Sequence, residues 1–271
     1  MTAPDLLDLM LDAARAAAAE IMGVYLGAFE AEEKDDGTPV TAADRRAETA
    51  ILEILAPAGL PFLAEESVAA GHVPELGERF FCIDPLDGTR EFLKRNGEFT
   101  VNIALVEAGR PTLGVVLAPA SGATYLGGPD GAFEITPRNT RERIRTDPRH
   151  PMRVVASRSH GHAALKGFCE ALQVVDDVSV GSSLKFCLLA RGDAQLYPRF
   201  TPTCEWDTAA GQAILEAAGG AVLTLDGAPM VYGRGGEHLN PFFIAAASAD
   251  LAARGAVEMR KALDAGATRP H

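Results

Sequence analysis

Positive charge is scarce in this chain: 25 lysines and arginines stand against 37 aspartates and glutamates, a net charge of −12. A surface that follows nucleic-acid phosphates needs the opposite balance, so a general nucleic-acid-binding role is excluded. A small anion can still be held, but only through a local basic pocket or a metal. Cysteine is sparse as well. Cys82, Cys169, Cys187 and Cys204 form no CxxC pair and stand among apolar neighbours, which predicts reduced, buried thiols of a cytosolic protein. Long hydrophobic runs are missing: stretches such as Phe242 to Ala247 are far too short to span a bilayer. The N-terminus, MTAPDLLDLMLD, is acidic where a signal peptide would be basic. The expectation is a cytoplasmic protein without an integral membrane segment, with peripheral attachment to the inner face of the cell membrane left open. What is present is ordinary for a soluble globular protein: 271 residues, 47% hydrophobic and 23% charged, enough for one large domain or two subdomains around a substantial core.

Thr2 is placed to cap a first helix, with Pro4 and Asp5 in its opening turn. Leu6, Met10, Ala13, Ala17 and Ile21 then mark one apolar face at helical spacing. The polar link EAEEKDDGTPV leads to a second helix from Thr41 to about Leu55. The segments RFFCI, FTVNIALVEAG, TLGVVLAP, ATYLGG and AFEIT read as successive strands separated by Gly and Pro turns, hence a largely antiparallel sheet. The polar stretch Thr136 to Pro151 marks the boundary between an N-terminal α+β subdomain, 1–150, and a C-terminal α/β subdomain, 151–271. Beyond it strands and helices alternate: MRVVAS, HAALKGFCEALQ, VVDDVSV, SLKFCLLARG, AQLYPRF, DTAAGQAILEAAGG and AVLTL. Alternation of this kind predicts a sheet with helices on its faces.

The chemistry is concentrated in acidic residues at the ends of these elements. FFCIDPLDGTREF ends an apolar run with Asp84 and Asp87, two like charges that repel unless something cationic lies between them. An aspartate before glycine is a common turn residue, and a lone DPLDG would be no more than that. The spacing is not that of an EF-hand, whose ligands alternate every second residue. AEES places Glu65 and Glu66 after another apolar run, and EWDTAAG places Asp207 in the first turn of a helix. Three acidic sites at element ends suit a hard cation such as Mg²⁺, which takes oxygen ligands. Each signal has a structural reading of its own. Asp207 can be a helix cap, Thr41 and Asp44 a capping box, and Glu65 a solvated charge.

Taken together, AEES, DPLDGT and WDTAAG resemble the lithium-sensitive, magnesium-dependent phosphomonoesterases of the inositol monophosphatase superfamily, over nearly the whole chain. The longer phrases DPLDGTREFLKRNGEFTVNIAL, GSSLKFCLLA and LYPRFTPTCEWDTAAG resemble one branch more closely, the CysQ-type 3′(2′),5′-bisphosphate nucleotidases. The resemblance implies a layered αβαβα sandwich of the inositol monophosphatase/fructose-1,6-bisphosphatase type, with an antiparallel N-terminal sheet and a mixed C-terminal sheet. It implies two or three Mg²⁺ ions held by Glu65, Asp84, Asp87, Asp207 and the carbonyl of Leu86, with Glu66 behind them or bound through water. It places Thr89 and Asp44 as the pair that orients the attacking water, and the amides of Gly88 and Thr89 on the phosphate.

The substrate must be read from the C-terminal half. Relatives acting on inositol phosphate usually carry a glutamate in the strand before the WD motif, whereas AQLYPRF has Arg199 there. Arginine presents a fixed fork of donors suited to a second phosphate. Lys185 in GSSLKFC, with Ser182 and Ser183 beside it, adds charge and hydroxyls, and His160 in SRSH can meet an adenine. Singly, these are also an exposed strand arginine, a lysine covering apolar surface with its stem, and a histidine near a helix start. Within the resemblance they point to a nucleotide bisphosphate: removal of the 3′-phosphate from adenosine 3′,5′-bisphosphate, and from its phosphosulfate relative. Two alternatives stand beside it, an inositol or sugar-phosphate monophosphatase on the same site and a non-catalytic phosphate sensor. The assembly is expected to be a monomer or a homodimer.

Overall fold

The structure, a computed structural model, describes residues 1–28, 31–33, 39–149, 151–156, 164–236 and 238–267. Helix α1 spans Ala3–Tyr25. Its start is fixed by a reciprocal cap: Asp5 Oδ2 accepts from the backbone N–H and hydroxyl of Thr2, whose Oγ1 accepts from the Asp5 N–H. The residues predicted for its apolar face, Leu6, Met10, Ala13, Ala17 and Ile21, are all buried. Two short strands, β1 (Ala31–Glu33) and β2 (Pro39–Thr41), pair antiparallel within the segment read as a polar link. Helix α2 (Ala42–Leu55) follows, capped by Thr41.

A seven-stranded sheet occupies the next stretch: β3 (Phe62–Ala64), β4 (Arg79–Asp87), β5 (Thr100–Glu107), β6 (Arg110–Ala118), β7 (Ala123–Gly128), β8 (Gly131–Ile135) and β9 (Arg141–Ile144), hydrogen-bonded in that order. Two one-turn helices, α3 (Glu65–Ala69) and α4 (Thr89–Leu93), sit at the ends of β3 and β4. Every pair in this sheet is antiparallel except β3 with β4, which is parallel because a crossover through α3 joins them. The expected antiparallel sheet therefore has one parallel edge. Strand β9 lies inside the stretch read as an irregular boundary, and only Ile144 of its four residues is buried.

The second half contains β10 (Met152–Ala156), α5 (Ala164–Ala171), β11 (Val174–Ser179), α6 (Leu184–Ala190), β12 (Leu196–Arg199), α7 (Ala209–Ala217), β13 (Ala221–Thr224), β14 (Phe243–Ala246) and α8 (Ala249–Ala267). Its five strands pair in the order β11-β10-β12-β14-β13, parallel on the β11 side and antiparallel on the β13 side. This is the mixed sheet that was expected.

Three apolar cores separate five layers. Helices α1 and α2 pack on one face of the seven-stranded sheet through Met10, Ile21, Ile51 and Phe81. Helices α6 and α7 fill the space between the two sheets with Phe186 and Ile214, joined by Trp206 from the turn before α7. Helices α5 and α8 cover the outer face of the second sheet with Phe168, Leu251 and Met259. Strand β4 is consequently covered on both faces, and all its residues from Phe80 to Leu86 are buried. Helix α7 lies close against β6 and β7 because two glycines oppose each other there. A Cβ on Gly114 would fall 2.4 Å from the Ala210 carbonyl, and one on Gly127 would fall 2.5 Å from Ile214 Cα. Cys82 and Cys187 are buried as expected, while Cys169 and Cys204 are half-buried, and none is in a disulfide. No helix among the described residues is long and apolar enough to cross a membrane.

Candidate active site

Strand β4 delivers the first acidic pair. Pro85 cannot donate to the ladder, and the register with β5 shifts between Asp84 and Asp87. Asp84 Oδ1 accepts from the Leu86 N–H at 3.0 Å, a local turn that fixes the carboxyl at the strand end. Gly88 follows with φ +94°, a conformation that favours glycine, and a Cβ there would also press on the Glu98 carbonyl at 3.1 Å. That turn starts α4 at Thr89.

Helix α2 approaches the same turn from the other side. Asp44 is 1% exposed. Its Oδ2 accepts from the N–H and hydroxyl of Thr41 at 2.7 and 2.8 Å, and its Oδ1 accepts from the Thr89 hydroxyl at 3.1 Å. The Thr41–Asp44 capping box and the Thr89–Asp44 contact thus form one hydrogen-bonded cluster. Burial pushes the Asp44 carboxyl above the usual carboxylate range, against the hydrogen bonds from Thr41 and Thr89. One turn along α2, Glu48 accepts from the Glu66 N–H at 2.8 Å and from the Ser67 hydroxyl at 2.6 Å. It supplies the N-terminal cap that Ala64 cannot give to α3, and so holds the AEES turn in place. Glu48 did not emerge from the sequence. Its only signal was the spacing of four from Asp44.

Glu65, Asp84, Leu86, Asp87, Thr89 and Asp207 line a cavity of about 280 Å³. Asp207 comes from the turn before α7 rather than from its first helical residue, and the Cys204 N–H (2.8 Å) and the Thr203 hydroxyl donate to its Oδ2. Crowding shows in the proton affinities. Burial first, then the charges of Glu65, Asp87 and Asp207, drive Asp84 well above the carboxylate range. Burial and Asp87 raise Asp207 to about 6, against its bonds to Thr203 and Cys204 and the charge of Arg199. Carboxylates that crowd each other in this way take up protons or a cation. The donors are all oxygens, the set a hard divalent ion requires. Among the described residues, no three His, Cys, Asp or Glu side chains are already drawn together tightly enough to enclose an ion. The wall is an open cradle.

A second cavity of about 130 Å³ opens beside it and shares Asp87, Gly88, Arg90, Glu91 and Asp207. Its far wall carries the cations. Lys185 is 5% exposed, and its Nζ donates to the Ser182 carbonyl at 2.9 Å and lies 5.8 Å from the centre of the Tyr197 ring. Arg199 Nε and Nη2 donate to the carbonyls of Thr201 and Pro202 at 3.1 and 3.0 Å, which fixes the plane of the guanidinium. Ser182 is held at φ +48° with its buried Oγ lacking a hydrogen-bond partner among the described residues. Strain and an unsatisfied hydroxyl at one residue mark a site kept for something else.

The remaining expectations divide. Ser183 is 2% exposed, and its hydroxyl is engaged with Asn102, Asp87 and the Asp207 carbonyl. Glu66 stands next to Glu65 on α3, its N–H taken by Glu48. His160 lies outside the described residues. Asn102 was not picked out from the sequence at all.

Comparison with known proteins agrees on one group. The profile of the Inositol monophosphatase family matches residues 5–260. The 3'(2'),5'-bisphosphate nucleotidase CysQ of Escherichia coli O157:H7 is 46% identical, over 88% of this chain and 98% of its own length. Among solved structures, CysQ from Bacteroides thetaiotaomicron, described as a bacterial member of the inositol monophosphatase family, superposes with a TM-score of 0.76 at 37% identity, covering 89% of this chain and 97% of its own. The Thermotoga maritima IMPase superposes with a TM-score of 0.78 at 25% identity, covering 96% and 99%.

Proposed function

Because the chain belongs to the inositol monophosphatase family, we propose that it is a Mg²⁺-dependent 3′(2′),5′-bisphosphate nucleotidase, hydrolysing adenosine 3′,5′-bisphosphate to AMP and phosphate. The phosphosulfate relative of that nucleotide is a second substrate on the same reading. The observation that carries the assignment is the pairing of two cavities: an acidic cradle continuous with a wall bearing Lys185, Arg199 and the unsatisfied Ser182 hydroxyl. One takes cations, the other takes an anionic group remote from the reaction. A monophosphate has nothing to place in the second.

The cradle fits Mg²⁺. Glu65, Asp84, Asp87, Asp207 and the Leu86 carbonyl would hold two or three ions, which supply charge stabilisation at the phosphoryl group and acidify the attacking water. The chain's own residues do the rest. Thr89 donates its hydroxyl proton to Asp44 Oδ1, so its oxygen is free to accept from water and aim it at phosphorus. The water oxygen forms the new P–O bond, and its proton passes through Thr89 to Asp44. The elevated proton affinity of Asp44 suits it to that task. The P–O3′ bond breaks, and the leaving oxygen takes a proton from solvent. The N–H groups of Gly88 and Thr89, at the turn into α4, hold the departing phosphate. Arg199 and Lys185 grip the 5′-phosphate and fix the nucleotide's orientation.

Arg199→Glu tests the assignment. Bonds to charged groups are worth roughly 1.5–3 kcal/mol, so kcat/KM for adenosine 3′,5′-bisphosphate should fall by about tenfold or more. 3′-AMP, which lacks the second phosphate, should lose much less. Equal losses on both substrates would remove the argument for a bisphosphate.

A further inference from the structure

Asp87 is held by two buried side chains that come from different layers of the molecule. Asn102, in β5, is fully buried, and its Nδ2 donates to Ser183 Oγ at 2.9 Å and lies 3.4 Å from Asp87 Oδ2. The Thr100 hydroxyl donates to Asn102 Oδ1 at 2.9 Å, which decides which end of the amide faces Asp87. Ser183 precedes α6, and its Oγ lies 3.0 Å from Asp87 Oδ2 and 2.7 Å from the Asp207 carbonyl. The side chains of Thr100, Asn102 and Ser183 are buried, where an unpaired amide or hydroxyl is costly and apolar residues would pack as well.

The arrangement is directional. Both donors address the same oxygen of Asp87, Oδ2. The Ser183 hydroxyl has one proton for two acceptors, Asp87 on the first sheet and the Asp207 carbonyl at the head of α7, while it accepts from Asn102. Of the five acidic residues among those described as lining the cradle, Glu65, Asp84, Asp87, Glu91 and Asp207, only Asp207 comes from the C-terminal half. Its distance from Asp84 and Asp87 therefore depends on how the two halves are tied at this point.

We infer that Asn102 and Ser183 are positioning residues: they turn Asp87 Oδ2 into the protein, leave its other oxygen for the cation, and set the gap between Asp87 and Asp207. The inference rests on the reading of the cradle as a cation site. It also gives Ser183 a different task from substrate contact. Groups that orient ligating side chains typically change metal affinity by about 10–100-fold when removed.

The test is direct Mn²⁺ binding by electron paramagnetic resonance, without substrate, on the wild type, Ser183→Ala, Asn102→Ala and Ser183→Thr, each first checked for folding by thermal melting in EDTA. Ser183→Ala and Asn102→Ala should each weaken Mn²⁺ by about tenfold or more, with the substrate KM at saturating cation changed less than about twofold. Ser183→Thr keeps the hydroxyl and should bind close to wild type. If one alanine variant does not fold, the other carries the same expectation. Wild-type affinity in the alanine variants overturns the inference, and so does a loss confined to substrate KM, which would return Ser183 to the substrate wall. A wild type that binds no Mn²⁺ overturns the cation reading itself, a distinguishable failure.

Discussion

Stripped of divalent cations, the protein should become more stable as the solution is acidified from pH 7.5 to 5.5, the opposite of ordinary acid denaturation. The reason lies in the cradle. Asp207 is raised from 3.8 to about 6 by burial and the charge of Asp87, and Asp84 is driven well above its ordinary value by burial and by Glu65, Asp87 and Asp207. Between pH 4 and 6 the folded protein keeps protons that the unfolded chain has released, so stability falls as pH rises through that window. For Asp207 alone, a rise from 3.8 to about 6 corresponds to at most about 3 kcal/mol over the whole window, of which no more than about 1 kcal/mol falls between pH 5.5 and 7.5. In a chain of this size that part amounts to a shift of about 2–3 °C in Tm. Thermal melts in EDTA at pH 5.5, 6.5 and 7.5 measure it. Millimolar Mg²⁺ must displace the same protons, so its stabilising effect should be largest at pH 7.5 and shrink towards 5.5. A metal-free Tm that climbs with pH over this range, or a Mg²⁺ effect independent of pH, would refute the reasoning.

Thr89→Ala and Asp44→Asn should each lower kcat by about 10²–10⁴-fold in steady-state assays while leaving KM nearly unchanged, because the pair acts on water; a loss confined to KM would make them binding or capping residues. Gly127→Ala places a methyl group against Ile214 in α7, and overpacking of this kind typically destabilises by about 1–3 kcal/mol. Its Tm should fall by several degrees, and an unchanged Tm would show that α7 is not seated on β7 as described.

Local signals made much of this fold legible. The α1 cap and its apolar stripe depend on residues three and four apart, and the strands from β4 to β8 are separated by turns with their own chemistry. Strand β9 was hidden because RERI is charged and lies at a sheet edge, where a single residue, Ile144, meets the core. Strand β14 registered only as a run too short for a membrane, and α8 not at all; α8 packs on β14 just before it and on α5, β12 and β13 farther back in the chain. The cradle was readable through motifs, as Glu65, Asp84, Asp87 and Asp207 came together in one cavity wall. What supports it was not. Asn102 sits mid-strand like any buried polar residue, and its bond to Ser183 joins positions 81 apart. Glu48 looks like a surface helix charge until α3 is seen to lack a cap of its own. Such residues owe their roles to tertiary contact alone.

The central claim, a cation-dependent bisphosphate nucleotidase, is tested most directly by phosphate release from adenosine 3′,5′-bisphosphate, inositol 1-phosphate and fructose 1,6-bisphosphate, side by side with Mg²⁺ and with EDTA. The account predicts that adenosine 3′,5′-bisphosphate gives the highest kcat/KM and that EDTA abolishes turnover of all three. Turnover that persists in EDTA, or a higher kcat/KM for inositol 1-phosphate, would contradict it.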